Sequence, residues 1–533
     1  MKLRNISEKL VNLHSDLLEN ESYFREACKD LHPDFCESGL NLCRYLHLRT
    51  HDLRKIHDDL SEVGISSLRS PEAYVLENLG NTIKLLHLLQ DDKWNPTINV
   101  KSIGYKQGQK LLKNHTRKLF GGRPHKKSPH IMITMPTEAA SDYKLVKTLI
   151  DSGMNIARIN MGHDNSKTWR KIAKNVRKAS KNSERKCKIY VDLSGPKIRT
   201  GKISTLKAFK KKKKKDVKPY IRLNKGDKLF LHKKDVPGYP AIVDKKGKTI
   251  RPAGISVSLP KIIDDAKVKD RLYFDDGKIA CVVREKHEHG LILEVKKTGL
   301  SGSKLKEEKG INLPDTILHT PSLTRSDLKN LDFVAKYADI VGYSFVRHPS
   351  DVRMLRSELR KRKAEGIGVV LKIENKEAFD NLALLLLEAM KGSPVGVMIA
   401  RGDLAVEIGL ERISEVQEEI LWLCEASHVP VIWATQILES MAKKGMATRA
   451  EITDAAMSVR AECVMLNKGP YITEATIMLK RILDKMLKHN TKKKNQLRAL
   501  NIASASLKKI LPETIEEAGL PVPVSHYQDM VFS

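Results

Sequence analysis

The residues best suited to chemistry in this sequence stand at the ends of short apolar runs. One run ends Ala157-Arg158-Ile159-Asn160, and the next ends in Asp192, followed by Ser194-Gly195-Pro196-Lys197-Ile198-Arg199. Further runs end Ser344-Phe345-Val346-Arg347, Lys372-Ile373-Glu374-Asn375, Ala400-Arg401-Gly402-Asp403 and Ala434-Thr435-Gln436, with Glu439 beyond. In extended backbone, residues two apart share a face, so Lys372 and Glu374 point the same way, and Asp403 on the following run offers a second carboxylate. Two carboxylates with open positions for water and substrate oxygens suit Mg2+ or Mn2+, since Mg2+ seldom takes an all-protein cage. Arg158 and Lys372 would add fixed positive charge around a transferring phosphoryl group. Each tetrapeptide alone is more often a solvated edge or an ion pair than a catalyst. The set together points to metal-assisted phosphoryl transfer.

Such a set needs a frame that brings distant strand ends together. Runs rich in β-branched residues, at 131–134, 155–160, 188–193, 339–344, 369–374, 395–400, 429–435 and 462–466, alternate with helical patterns. Strands apolar on both faces and separated by helices predict a parallel sheet, and this number of them predicts a closed (β/α)8 TIM barrel, α/β in class, over 130–199 and 314–485. Active sites of such barrels lie at the C-terminal strand ends, where the polar residues above stand. The alternation fails once, over 200–313. Turn signals there (Asn224-Lys225-Gly226-Asp227, Pro237-Gly238, Lys246-Gly247, Asp276-Gly277) separate short alternating runs, which predicts a small β-barrel domain inserted after the third strand. Its lysine run, 210–215, reads as a solvated loop, and nucleic acid is not an expected partner.

Residues 1–112 read as an all-helical extension. Ile6, Leu10, Leu13 and Leu17 repeat at helical spacing, as do Leu46, Leu53, Ile56, Leu60 and Val63, and Ser70-Pro71 predicts a cap and first-turn proline for a helix carrying Val75 to Leu89. Cys43, His47 and His51 recur at four-residue intervals, a spacing able to ligate a metal. Helix-surface and core roles are the more ordinary reading, and no metal is assigned there. A basic stretch at 113–129, broken by Gly121-Gly122, Pro124 and Pro129, reads as a linker, and 486–533 as a tail.

With 41% hydrophobic and 30% charged residues among 533, the chain has a globular composition, which excludes global disorder. Its 96 Lys+Arg against 64 Asp+Glu give a formal charge of +32, a bias toward anionic ligands such as phosphates. Seven scattered cysteines without a CxxC pair are expected as reduced thiols, and no apolar run is long enough for a membrane span. No signal peptide is read at the start, and the expected location is the cytoplasm.

Taken in order, GMNIARIN (153–160), GPKIRTG (195–201), KGINLPD (309–315), SFVR (344–347), KIEN (372–375), ARGDLAVEIG (400–409) and ATQILESM (434–441) closely resemble the pyruvate kinase family over about 131–483. The resemblance implies a glycolytic phosphotransferase acting on phosphoenolpyruvate and ADP. It implies that Arg158 holds the phosphoryl group, that Glu374 and Asp403 bind Mg2+ or Mn2+, and that Lys372 stabilises the phosphoryl group and the developing enolate. Gly402 and Thr435 would line the phosphoenolpyruvate pocket, with Thr435 near the carbon that gains a proton. Asn160, His163, Arg199 and Lys309 would face the nucleotide phosphates. Of the family's potassium ligands, Asn160 and Asp192 remain, while Gly162 and Leu193 occupy the other two positions. Lys197 stands where potassium-dependent members carry Glu, so its ammonium is expected to replace the ion and K+ is not expected to be required.

Two loops depart from the family pattern, Ile133-Thr134-Met135-Pro136 after the first strand and Asn467-Lys468-Gly469-Pro470 after the eighth. The residues after Leu483 are too few for the family's C-terminal regulatory domain, so sugar-phosphate activation is not expected; homo-oligomerisation stays open. The competing readings are a barrel enzyme of related Mg2+-enolate chemistry on another 2-oxo acid and a non-catalytic binding protein. Arg199 and Lys309 argue against the first. The joint retention of Lys372, Glu374, Asp403, Arg158 and Thr435 argues against the second, because a barrel core needs no such charges.

Overall fold

The computed structural model describes residues 2–487 except 66–67, 69, 95–99, 123–127, 205–218 and 246–247, together with 490–491 and 494–495. Eight parallel strands close a barrel: His130–Thr134, Ile156–Asn160, Lys188–Asp192, Ile340–Tyr343, Gly368–Ile373, Val395–Ala400, Val431–Ala434 and Cys463–Leu466. The first strand pairs with the eighth, Ile131 opposite Val464, so no edge is left open. Alternate residues face opposite ways, which is why the strands are apolar throughout. Met132, Ile156, Tyr190, Ile340, Val370, Met398, Ile432, Cys463 and Met465 form the interior cluster, while Ile131, Ile133, Ala157, Ile189, Val369 and Leu371 belong to the core shared with the surrounding helices. Those helices begin at local signals. Asp142 and Asn165 cap their helices, and Thr324 and Thr448 form capping boxes with Asp327 and Glu451.

The extension closes the lower end of the barrel. Helix Tyr105–Phe120 delivers Leu119 and Phe120 into the interior cluster, and Lys188 Nζ donates to the carbonyls of Lys118 and Leu119 at 2.9 and 2.7 Å. A Cβ at Gly368 or Gly396 would come within 2.5 Å of the Leu119 methyl groups, so the strands admit this side chain by giving up their own. The boundary expected at 113 therefore falls inside a helix. Basic residues on its outer face gave 113–120 the composition of a linker, and the helix ends only at Gly121, at φ +93°.

Elsewhere in the extension Ile6, Leu10, Leu13 and Leu17 are buried as the spacing requires. The repeat from Leu46 to Val63 is interrupted, since one helix ends at Leu48 and the next starts at Arg54. Pro71 precedes a 3-10 turn, Glu72–Tyr74, without a side-chain cap, and the α-helix follows from Val75. Polar contacts seat the extension on the barrel layer: Asn41 Nδ2 donates to Ala426 O at 2.8 Å, and His115 Nδ1 lies 2.7 Å from His428 O.

Between the third and fourth barrel strands the described residues form a six-stranded sheet, around an apolar core of their own, and two two-stranded ones, Tyr220–Leu223 with Ser303–Lys306 and Ile242–Val243 with Thr249–Arg251. This arrangement stands where a small β-barrel was expected. The lysine run 210–215, the Lys246-Gly247 turn and nearly all of the expected tail lie outside the described residues. No described helix is long and apolar enough to cross a membrane.

One close approach couples the frame to the polar strand ends. A Cβ at Gly342, in the fourth strand, would lie 2.0 Å from Tyr190 Oη and 2.7 Å from Asp192 Oδ1. Gly342→Ala is expected to cost about 1–3 kcal/mol of unfolding free energy by overpacking. Gly366→Ala, where a Cβ meets nothing, is expected to change it by less than about 0.5 kcal/mol. Urea titration of both variants measures the difference.

Candidate active site

The interior face that carries Ile156, Tyr190 and Val370 continues upward, by the period of two, to Arg158, Asp192 and Lys372. The hydrophobic interior therefore ends in a layer of charge. Asp192 is its centre: Arg158 Nε donates to Oδ2 at 3.1 Å, Arg158 Nη2 makes a second, shorter bond to the same oxygen, and Lys372 Nζ lies 3.2 Å from Oδ1. Lys372 Nζ also donates to Ser344 Oγ at 2.6 Å and meets Glu374 Oε1 at 2.9 Å. The other Glu374 oxygen accepts from the Phe345 N–H at 2.7 Å. All four charged side chains are buried.

Burial disfavours the charged form of each group, and the partners decide which way each one moves. Burial pushes the Asp192 carboxyl up, yet Lys372 and Arg158 together hold it below the usual range. Burial likewise opposes the charge on Lys372, and Asp192 and Glu374 outweigh it, raising its pKa. Glu374 goes the other way. Burial raises its pKa against the pull of Lys372, and the neighbouring Asp403 and Asp192 carboxylates add to the rise.

Asp403, in the first turn of helix Arg401–Ile408, accepts from Lys197 Nζ on both oxygens, at 2.9 and 3.0 Å. The Lys197 ammonium is thus paired across the mouth with Asp403, while Asp192 is neutralised by Arg158 and Lys372 and Asn160 Oδ1 accepts from the Gly162 N–H at 2.9 Å. At the end of the seventh strand Thr435 sits at φ +64°, followed by Gln436 at +61°. Two non-glycine residues in the left-handed region mark a strained turn of the kind that gathers at functional sites. Arg401 pins that turn: its guanidinium donates to Ala434 O at 3.0 Å and to Thr435 O, and pairs with Asp454. Thr435 Oγ1 accepts from the Gly402 N–H at 3.0 Å.

These groups surround a cavity of about 430 Å3, and every expected site residue lines it except Gly402 and Lys309. Gly402 acts from behind, through Thr435. Lys309 pairs with Asp275 within the insertion at 2.8 Å, and the neighbouring Arg199 donates to Glu308 O at 3.0 Å. His163 stands at the mouth, where burial, with Lys468 and Arg199, lowers its pKa.

Sequence reasoning left four contributors unassigned. Ser344 was visible as a strand end, but its role depends on Lys372 reaching it. Thr134 and Asn467 belong to the two loops that depart from the family pattern, and they meet: Thr134 Oγ1 accepts from Arg158 Nη1 at 2.8 Å and lies 3.4 Å from Asn467 Oδ1. Glu407 is half-buried beneath the insertion and accepts from Asn312 Nδ2 at 3.0 Å, and desolvation pushes its pKa up to about 7.

The family model described as "Pyruvate kinase, barrel domain" matches residues 126–475. The chain belongs to the pyruvate kinase family. Among its relatives are the pyruvate kinases of Staphylococcus aureus strains USA300 and NCTC 8325, each 33% identical over 351 residues, which cover 64% of this chain. The chain spans about half the length of these curated relatives, 54%. Among solved structures, a pyruvate kinase from Cryptosporidium parvum is similar with a TM-score of 0.58 and 27% identity, over 70% of each chain. The pyruvate kinase barrel of this chain thus carries its charged residues at the strand ends from which the resemblance was read.

Replacing Asp192 with Asn would leave two buried cations short of their shared partner. Asp192→Asn is expected to lower stability by about 3–5 kcal/mol. The folded-state pKa is depressed, so this stabilisation is present in full above the unfolded value of about 3.9 and is lost as pH falls through the lower folded value. Chemical denaturation at pH 7 and at acid pH is expected to show the gap between wild type and variant narrowing in acid.

Proposed function

We propose that the barrel mouth transfers the phosphoryl group of phosphoenolpyruvate to ADP with Mg2+ or Mn2+. The observation that carries this reading is the convergence of two cations, Arg158 and Lys372, and two carboxylates, Glu374 and Asp403, on one cavity at the C-terminal strand ends. The carboxylates fit a hard divalent cation. Both are oxygen donors, and the charge of Asp403 contributes to the raised pKa of Glu374, a repulsion that a shared cation relieves. When bound, that cation would polarise the phosphoryl oxygens and neutralise charge that develops on them.

The chain's own residues supply the rest. Arg158, fixed between Asp192 and Thr134, orients the phosphoryl group. Lys372, fixed between Ser344, Asp192 and Glu374, offers its ammonium to the developing enolate oxygen as the bond to phosphorus breaks. Thr435, held by the Gly402 N–H, stands where the enolate carbon takes up its proton. Asn160, His163, Arg199 and Lys309 receive the nucleotide phosphates. Lys309 and Arg199 are anchored through the insertion, so a movement of the insertion toward the mouth would carry nucleotide contacts with it and exclude water. Lys197 brings a fixed ammonium to the mouth, and this is the basis for proposing activity without K+.

Initial rates of pyruvate formation test the reading. With phosphoenolpyruvate, ADP and Mg2+, the intact chain is expected to turn over, and Lys372→Met to lower kcat by about 10^2–10^3, the effect of removing one donor from a developing oxyanion. An inactive intact chain, or an unaffected Lys372→Met, contradicts it. Replacing all Na+ by K+ is expected to leave the rate nearly unchanged, and a large stimulation would remove the role given to Lys197.

A further inference from the structure

The helical extension takes no part in the proposed reaction, yet it gathers three metal-ligating side chains. Periodicity places Cys43, His47 and His51 on one face. In the fold, Cys43 turns inward, its Sγ 3.9 Å from Cys28 Sγ, and the first helix, Lys2–Glu19, supplies Asp16 to the two histidines instead. Asp16 Oδ2 lies 2.8 Å from His47 Nε2 and 3.6 Å from His51 Nε2, and the three donors all lie within 4.8 Å of one another. With metal–ligand bonds of about 2.0–2.2 Å, a tetrahedral zinc ion holds its donors roughly 3.3 Å apart, between the two distances observed to the carboxylate. Small side-chain rotations would close such a site.

The surroundings favour that geometry. Asn20 Nδ2 donates to Asp16 O at 2.9 Å and to Asp16 Oδ1 at 3.3 Å, which leaves Oδ2 turned to the imidazoles. The His47 ring is held edge-on to Phe24 at 5.9 Å, with the His51 ring 5.7 Å away. His51 is exposed, and Asp16 and His47 are partly so, which gives an ion access without unfolding. Two imidazoles and one carboxylate suit a borderline cation such as Zn2+ or Co2+, whereas Mg2+ and Ca2+ prefer oxygen donors throughout. We propose that Asp16, His47 and His51 form a three-ligand Zn2+ site, its fourth position open to water, that ties the first helix of the extension to the helix Cys36–Leu48 and the turn beyond it. Binding to the folded arrangement alone stabilises it by mass action.

The test uses the full-length chain, stripped of metal by dialysis against a chelator and titrated with Co2+, then Zn2+, in excess Mg2+ so that oxygen-donor sites at the barrel mouth are filled. One equivalent of Co2+ is expected to bind with the intense visible absorption of a four-coordinate ion, to be displaced by Zn2+, and to raise Tm. His51→Ala and Asp16→Asn, whose folding is checked by circular dichroism, are each expected to weaken binding by about tenfold or more and to abolish the Tm shift, while His289→Ala changes neither. The proposal is overturned if Co2+ binds the two ligand variants as tightly as the wild type, or if the wild type binds no tighter than His47→Ala/His51→Ala. Neither result bears on pyruvate formation, which is measured separately.

Discussion

Two cations set into the mouth of an apolar barrel would lose their hydration and repel each other, and Asp192 is the group that lets them stay. Its carboxylate reaches Arg158 of the second strand on one side and Lys372 of the fifth on the other, and it comes from the third. A buried pair deprived of its partner is strongly destabilising, so the three side chains hold one another in place. Everything proposed for the cavity follows from that arrangement: fixed cations facing a cluster of carboxylates, with the backbone already committed to their positions. Gly342 shows how little slack remains, since the fourth strand forgoes a side chain to clear Asp192 and Tyr190.

The lower end of the barrel answers a different requirement. A closed sheet with an apolar interior must be sealed where its strands begin, and Leu119 and Phe120 do this from outside the barrel sequence. The same helix is linked to the barrel layer through His115 and to the strand start through Lys188. The extension is therefore part of the barrel's packing, and its outer helices are left to other work, of which metal binding is the candidate that the side chains favour.

The strand-end residues were legible because they obey local rules. Period-two alternation puts Lys372 and Glu374 on one face, and eight runs separated by helices leave few arrangements besides a barrel. Long-range pairings were not legible. Lys197 and Asp403 are separated by 206 positions, and nothing local to either names the other. The same holds for Thr134 with Asn467, which makes two loops that looked like unrelated departures into neighbours at the mouth. Helix Tyr105–Phe120 was hidden for a compositional reason, since basic residues outnumber the few apolar ones that it buries. Asp16 could not be read as a partner for His47 because helical spacing reports one helix at a time.

The central claim is that this charged mouth passes a phosphoryl group to a nucleotide and not to water. Phosphorus NMR of the intact chain with phosphoenolpyruvate, ADP and Mg2+ in sodium buffer tests it most directly, because the acceptor is read from the product. The account predicts that the phosphoenolpyruvate resonance is replaced by the γ-phosphate of ATP. Appearance of inorganic phosphate alone, or an unchanged spectrum from folded protein, would contradict it.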